Sequence, residues 1–152
     1  MGEVALKEKI MLHIEAYQVD EYGKKEHVVS LDTIGQASWI DNQLCLEYEE
    51  TELIGVRGTT TQIWLPLEGD QKVTVKRRGA STLRQVYAKG QKDLASYETP
   101  YGRMEIEIMP WKVLIERTDT EISVQLGYDL SVSGQYVGQH HLSIAGKLSV
   151  SN

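Results

Sequence analysis

The chain has 152 residues, of which 41% are hydrophobic and 25% charged, enough apolar material for one domain with its own core, so a disordered or fibrous chain is excluded. Its single cysteine, Cys45, excludes a disulfide scaffold and fits a reducing, cytoplasmic setting. The net charge of −6 excludes a generally basic protein, yet residues 71–92 hold seven basic side chains and no acid.

In chain order, residues 1–17 are interrupted by Glu3, Lys7, Glu8 and Lys9, which argues against a signal peptide. No run reaches the roughly 18 apolar residues of a membrane span. Ile10, Leu12, Ile14 and Ala16 alternate with Met11, His13, Glu15 and Tyr17, the period-two pattern of a strand with one buried face. DEYGKK (20–25) reads as a turn, followed by strands over 26–34 and 36–41 and a tight turn at Asp41-Asn42. Leu44, Leu46 and Tyr48 alternate with Cys45, Glu47 and Glu49. Strands follow over Thr59–Leu67, Lys72–Arg78, Ser81–Lys89 and Leu94–Thr99, with Pro100-Tyr101-Gly102 as a turn.

The strand over 103–117 changes phase. Met104, Ile106 and Ile108 are apolar at even positions, whereas Met109, Trp111, Val113 and Ile115 are apolar at odd ones. One extra residue at Met109-Pro110, a β-bulge, would produce that flip and bend the strand. From Glu121 to Ser133 the alternation is strict, with Ile122, Val124, Leu126, Tyr128, Leu130 and Val132 on one face. Gly134–Gly138 reads as the last turn and His140–Val150 as the last strand. No segment carries a helical stripe. These eight to ten strands joined by short turns predict an all-β chain forming a single antiparallel up-and-down β-barrel domain over 1–152. Closure removes exposed strand edges; a β-sandwich is the alternative.

Arg77-Arg78-Gly79 after VTVK, Tyr97-Glu98-Thr99-Pro100-Tyr101-Gly102, Tyr128-Asp129-Leu130 and His141-Leu142-Ser143-Ile144 occur in the order and spacing of the YwiB-like family, which the whole chain resembles. These are small bacterial proteins with a calycin-type, lipocalin-like β-barrel. The resemblance implies one antiparallel barrel and no particular activity. The Gly-x-Trp opening of ligand-carrying lipocalins has its nearest counterpart in Gly35-Gln36-Ala37-Ser38-Trp39, at a different spacing. Ligand binding is thus an analogy from fold, and fold does not fix function.

Arg77 is the most suggestive side chain. It continues the parity of Val73 and Val75 and is therefore expected to point inward. A buried guanidinium needs a partner. That partner is either a carboxylate or phosphate of a ligand, or an internal acid; a snorkelling position at the rim is the third option. Leu83, Tyr87 and Tyr128 are wall residues by parity, and His140 shares the parity of Leu142 and Ile144 near a barrel mouth. Neighbouring His140 and His141 point to opposite faces, which argues against a shared metal.

On the outer face, Lys72, Lys76 and Arg78 share one parity, with Arg84 expected beside them. Only Tyr87 in residues 71–92 is aromatic, which argues against nucleic acid. Cys45 precedes Glu47, Glu49 and Glu50, which disfavours a reactive thiolate, and LEYEETE (46–52) reads as an acidic strand end. No catalytic triad, phosphate loop, metal motif or cofactor fingerprint occurs, so no catalytic residue, metal or cofactor is expected. The leading expectation is a non-enzymatic barrel that binds a small apolar or anionic molecule through Arg77, Leu83, Tyr87, Tyr128 and His140. The alternative is a protein-interaction or nucleic-acid-contacting module that uses the outer face and the basic hairpin 71–92, with a homodimer among its forms.

Overall fold

A computed structural model describes residues 6–51 and 56–149. Residues 1–5, 52–55 and 150–152 lie outside that description, including Glu52 of the acidic run and Val150 at the end of the expected last strand. The chain forms ten strands: β1 Leu6–Val19, β2 Lys25–Ile40, β3 Gln43–Glu49, β4 Thr59–Pro66, β5 Lys72–Gly79, β6 Leu83–Ala88, β7 Asp93–Thr99, β8 Gly102–Arg117, β9 Glu121–Val132 and β10 Gln135–Leu148. No helix occurs among the described residues.

All the pairings are antiparallel, and the sheet order is β6-β5-β4-β3-β2-β1-β10-β9-β8-β7. Every neighbour in that order is a neighbour in sequence except β1 and β10, whose ten-residue register joins the two ends of the chain. The remaining seam, between β6 and β7, is spanned by the bridges Thr82–Glu98 and Ala88–Gln91. The result is a nearly closed up-and-down barrel, in which few backbone edges are left unpaired.

Alternation sorts the side chains as expected. Ile10, Leu12, Leu46, Ile63, Leu65, Val73, Ile108, Val124 and Ile144 are fully buried in one interior cluster. Burying each such side chain contributes about 1.5–3 kcal/mol. The interior is also graded along the barrel. On β3 the inward series runs Leu44, Leu46, Tyr48; on β4 Leu65, Ile63, Thr61, Thr59; on β5 Val73, Val75, Arg77; on β9 Val124, Leu126, Tyr128. Register aligns the series of β3, β4 and β5, so on these strands the interior passes from apolar to polar, whereas on β6 Leu83 faces Arg77 and Tyr87 faces Val73.

Three sequence expectations are corrected. The segments 26–34 and 36–41 are one strand, β2, which passes through Gly35 without a break. A Cβ at Gly35 would collide with the Glu47 carbonyl oxygen and lie 2.9 Å from Leu12 Cδ1. The glycine therefore marks a close approach of strands, not a turn. The last turn is only Ser133-Gly134, both at positive φ, so β10 begins at Gln135 and absorbs the expected turn residues through a register shift between Tyr136 and Gly138. The phase flip in β8 is a bulge, but the extra residue is Trp111, between Pro110 and Lys112. Pro110 is buried inside, while Trp111 lies on the outer face against Gly127.

Candidate binding site at the polar end of the barrel

Arg77 sits on β5 opposite Thr61 of β4 and Leu83 of β6. Its side chain turns inward, as its parity requires, and donates from Nε to Glu50 Oε1 at 2.7 Å. Glu50 follows β3 and continues the inward parity of Leu44, Leu46 and Tyr48. Its side chain is 2% exposed, against 28% for Arg77. The same carboxylate accepts from Thr61 Oγ1 at 2.7 Å and, through Oε2, from the Val56 backbone N–H at 2.7 Å. Three donors thus repay the desolvation of one buried charge. Burial works against the Arg77 charge, but Glu50 and the hydroxyls of Tyr87, Tyr48 and Tyr97 outweigh it and hold the guanidinium above its ordinary value. Among the described residues only Nε of that group is engaged by an acid; the plane itself lies 5.6 Å from the Tyr97 ring.

The aromatic wall continues from there. Tyr87 and Tyr128 meet edge to face, with centroids 5.1 Å apart. Burial pushes both phenols, and Tyr48, above the usual tyrosine range. His140, paired in register with Tyr128, stacks on its ring at 5.7 Å. Burial, helped by His141, lowers the His140 value, so its ring is neutral at pH 7. Its Nε2 is buried without a hydrogen-bond partner, which is costly and rare in a folded interior.

The five residues expected to line a ligand site, Arg77, Leu83, Tyr87, Tyr128 and His140, thus all lie toward the barrel interior. Leu83 and Tyr87 are each 7% exposed. Sequence reasoning missed Glu50, Thr61, Tyr48 and Tyr97. The signal for Glu50 was present in the parity of β3, masked by the neighbouring acids. Four clefts of about 500, 220, 450 and 110 Å³ open elsewhere, and none is lined by these five residues. The deep interior is filled with side chains, and Arg77 keeps 28% of its side-chain surface exposed.

The other candidates separate from this site. His141 points outward, stacked on Tyr17 at 4.3 Å and edge-on to Trp111 at 4.9 Å. Cys45 is buried on β3, and its thiol is pushed up to about 12 by burial and by Glu47, so no thiolate forms near neutrality. Among the described residues no group of three His, Cys, Asp or Glu side chains is placed to hold a metal. Among the described residues there is no helix long and apolar enough to cross a membrane.

The fold and the site define a class: a ten-stranded up-and-down β-barrel with a graded interior and an arginine–glutamate pair at its polar end. The chain belongs to the DUF1934 family, described as a domain of unknown function, whose sequence profile matches residues 12–144. Among solved structures it is similar to the YwiB protein from Bacillus subtilis, with a TM-score of 0.80 at 20% identity over 95% of this chain and 94% of that one. That likeness establishes the shared barrel, in agreement with the resemblance carried by the motifs. Comparison with curated proteins finds no match.

Proposed function

We propose that this barrel is a cytoplasmic, non-enzymatic binding protein that takes a small, partly apolar anion at its polar mouth. The observation that carries the reading is the posture of Arg77. Its Nε is held by Glu50, which fixes the side chain, while no carboxylate among the described residues engages its Nη edge. A pre-oriented guanidinium edge suits a carboxylate or phosphate oxygen pair. Tyr97, Tyr128 and Tyr48 would supply apolar ring surface and hydroxyl donors, and His140 Nε2 a further polar partner. A lone cysteine with a raised pKa is compatible with a reducing compartment.

Native mass spectrometry of the protein purified from its own host tests this. The expected result is a bound small mass that disappears on denaturation and is missing from the Arg77→Leu variant. A bare protein mass in both forms overturns the reading.

A further inference from the structure

The outer wall of β4, β5 and β6 carries a second feature, unrelated to the mouth. Lys76 and Arg84 stand directly opposite each other across the β5–β6 ladder. Like charges in that position repel and destabilise the sheet. Neither has a carboxylate partner among the described residues: Arg78 is drawn to Glu47 at 3.4 Å, while Lys76 has only the Trp64 ring, 5.1 Å away. Lys72 lies on the same face of β5, about 13 Å from Lys76 at a strand rise of about 3.3 Å per residue. Lys89 and Lys92 extend the cationic stripe into the turn before β7. Across the β6–β7 seam, Leu94 of β7 has the parity opposite to buried Ala95 and is 63% exposed.

We infer that this stripe is an interaction surface for an extended acidic segment of a partner protein, with Lys76 and Arg84 sharing its carboxylates and Leu94 packing an apolar side chain. Charge complementarity sets the sign of the partner. The rest of the surface separates a peptide from a nucleic acid. Stacking of bases needs free aromatic faces, and the only ring on the outward faces of β4, β5 and β6 is Trp64, one side of which faces the Lys76 ammonium. The net charge of −6 also repels a long polyanion more than a short acidic segment. A carboxylate between Lys76 and Arg84 relieves their repulsion, so binding stabilises the barrel.

Fluorescence anisotropy with a fluorescein-labelled decapeptide of alternating Glu and Leu tests the inference, with labelled decathymidylate as the competing probe. The peptide is expected to bind the intact protein, to weaken between about 50 and 200 mM salt, and to raise Tm. Lys76→Gln with Arg84→Gln should weaken it roughly tenfold, and Leu94→Ser should weaken it further, while Lys112→Gln on β8 leaves it unchanged. All four positions are exposed, and circular dichroism verifies that each variant folds. No peptide binding at low salt, equal affinity in the double variant, or tighter binding of decathymidylate overturns the inference. Arg77→Leu leaves peptide binding intact, which keeps this result separate from the mouth site.

Discussion

Arg77 and Glu50 are held 2.7 Å apart inside the wall of the barrel, 27 residues apart in sequence but on neighbouring levels of the sheet. Thr61 Oγ1 and the Val56 N–H complete the shell of the carboxylate. The pair therefore joins β3, β4, β5 and the segment after β3 through one buried charge. Its value to the fold is asymmetric, because removing both charges and removing one have different consequences.

Glu50→Leu leaves the Arg77 guanidinium without its acid in a largely buried position and is expected to cost about 3 kcal/mol. Arg77→Leu strands a carboxylate that keeps two neutral donors and should cost less. The double substitution should be more stable than Glu50→Leu alone. Urea denaturation of the three variants measures this, and additive losses would contradict the pairing.

The pH dependence has two opposing parts. His140 has a folded value below the ordinary one near about 6.5, so the unfolded chain takes up its proton first as pH falls. Its contribution is complete above about 6.5 and is lost toward the folded value. His13 is the reverse. Hydrogen bonds to Glu15 and Asp32 raise it, so its contribution is present at low pH and lost as pH rises through the folded value. Denaturation midpoints from pH 8 to 5 should therefore fall less steeply in His140→Phe than in the parent, and more steeply in His13→Gln. Parallel curves for all three proteins would refute both assignments.

The barrel was legible because its strands obey parity over long runs. Arg77, Tyr87, Tyr128 and His140 each continue a row of inward apolar residues, and each lies on the interior side. What parity could not convey was the count of residues at irregularities. Trp111 looked like an inward residue because its neighbours Val113 and Ile115 are inward, yet the bulge falls on Trp111 itself. Gly138 looked like a turn, although the left-handed backbone that turns the chain belongs to Ser133 and Gly134. The partner of Arg77 was hidden for another reason. Glu50 sits among Glu47, Glu49 and Glu52, and although it continues the inward parity of β3, those neighbouring acids masked it as the buried one.

The bulge also predicts a coupled pair. Trp111 lies flat over Gly127, and a Cβ at that glycine would meet the indole at 2.5 Å. Gly127→Ala should therefore push the ring off the sheet and from His141, costing about 1–3 kcal/mol by overpacking. In a Trp111→Ala background the same glycine substitution should cost much less. A thermal-denaturation double-mutant cycle reads the coupling, and independence of the two sites would argue that the ring has another resting place.

The seam between β6 and β7 should be the softest part of the wall. Thr82 and Glu98 exchange two backbone bonds, at 2.9 and 3.0 Å, and Gln91 donates to Ala88 at 3.0 Å. Between them no backbone ladder forms; Val86 N–H instead donates to the Asp93 carboxylate, and the buried Gln85 amide reaches the Asp93 and Ile106 carbonyls at 3.5 and 3.3 Å. Hydrogen-bonding direction alternates along a strand, so the peptide groups of Arg84 and Ser96 face the gap. Their amides should exchange with solvent faster than those of Thr82 and Glu98. Gln85→Leu, which removes the amide that ties β6 to the Asp93 and Ile106 carbonyls, should cost about 1 kcal/mol and speed exchange along β7 while sparing the β1–β10 closure. Uniform acceleration through the whole barrel would mean that Gln85 supports the fold globally and that the seam is not an independent opening unit.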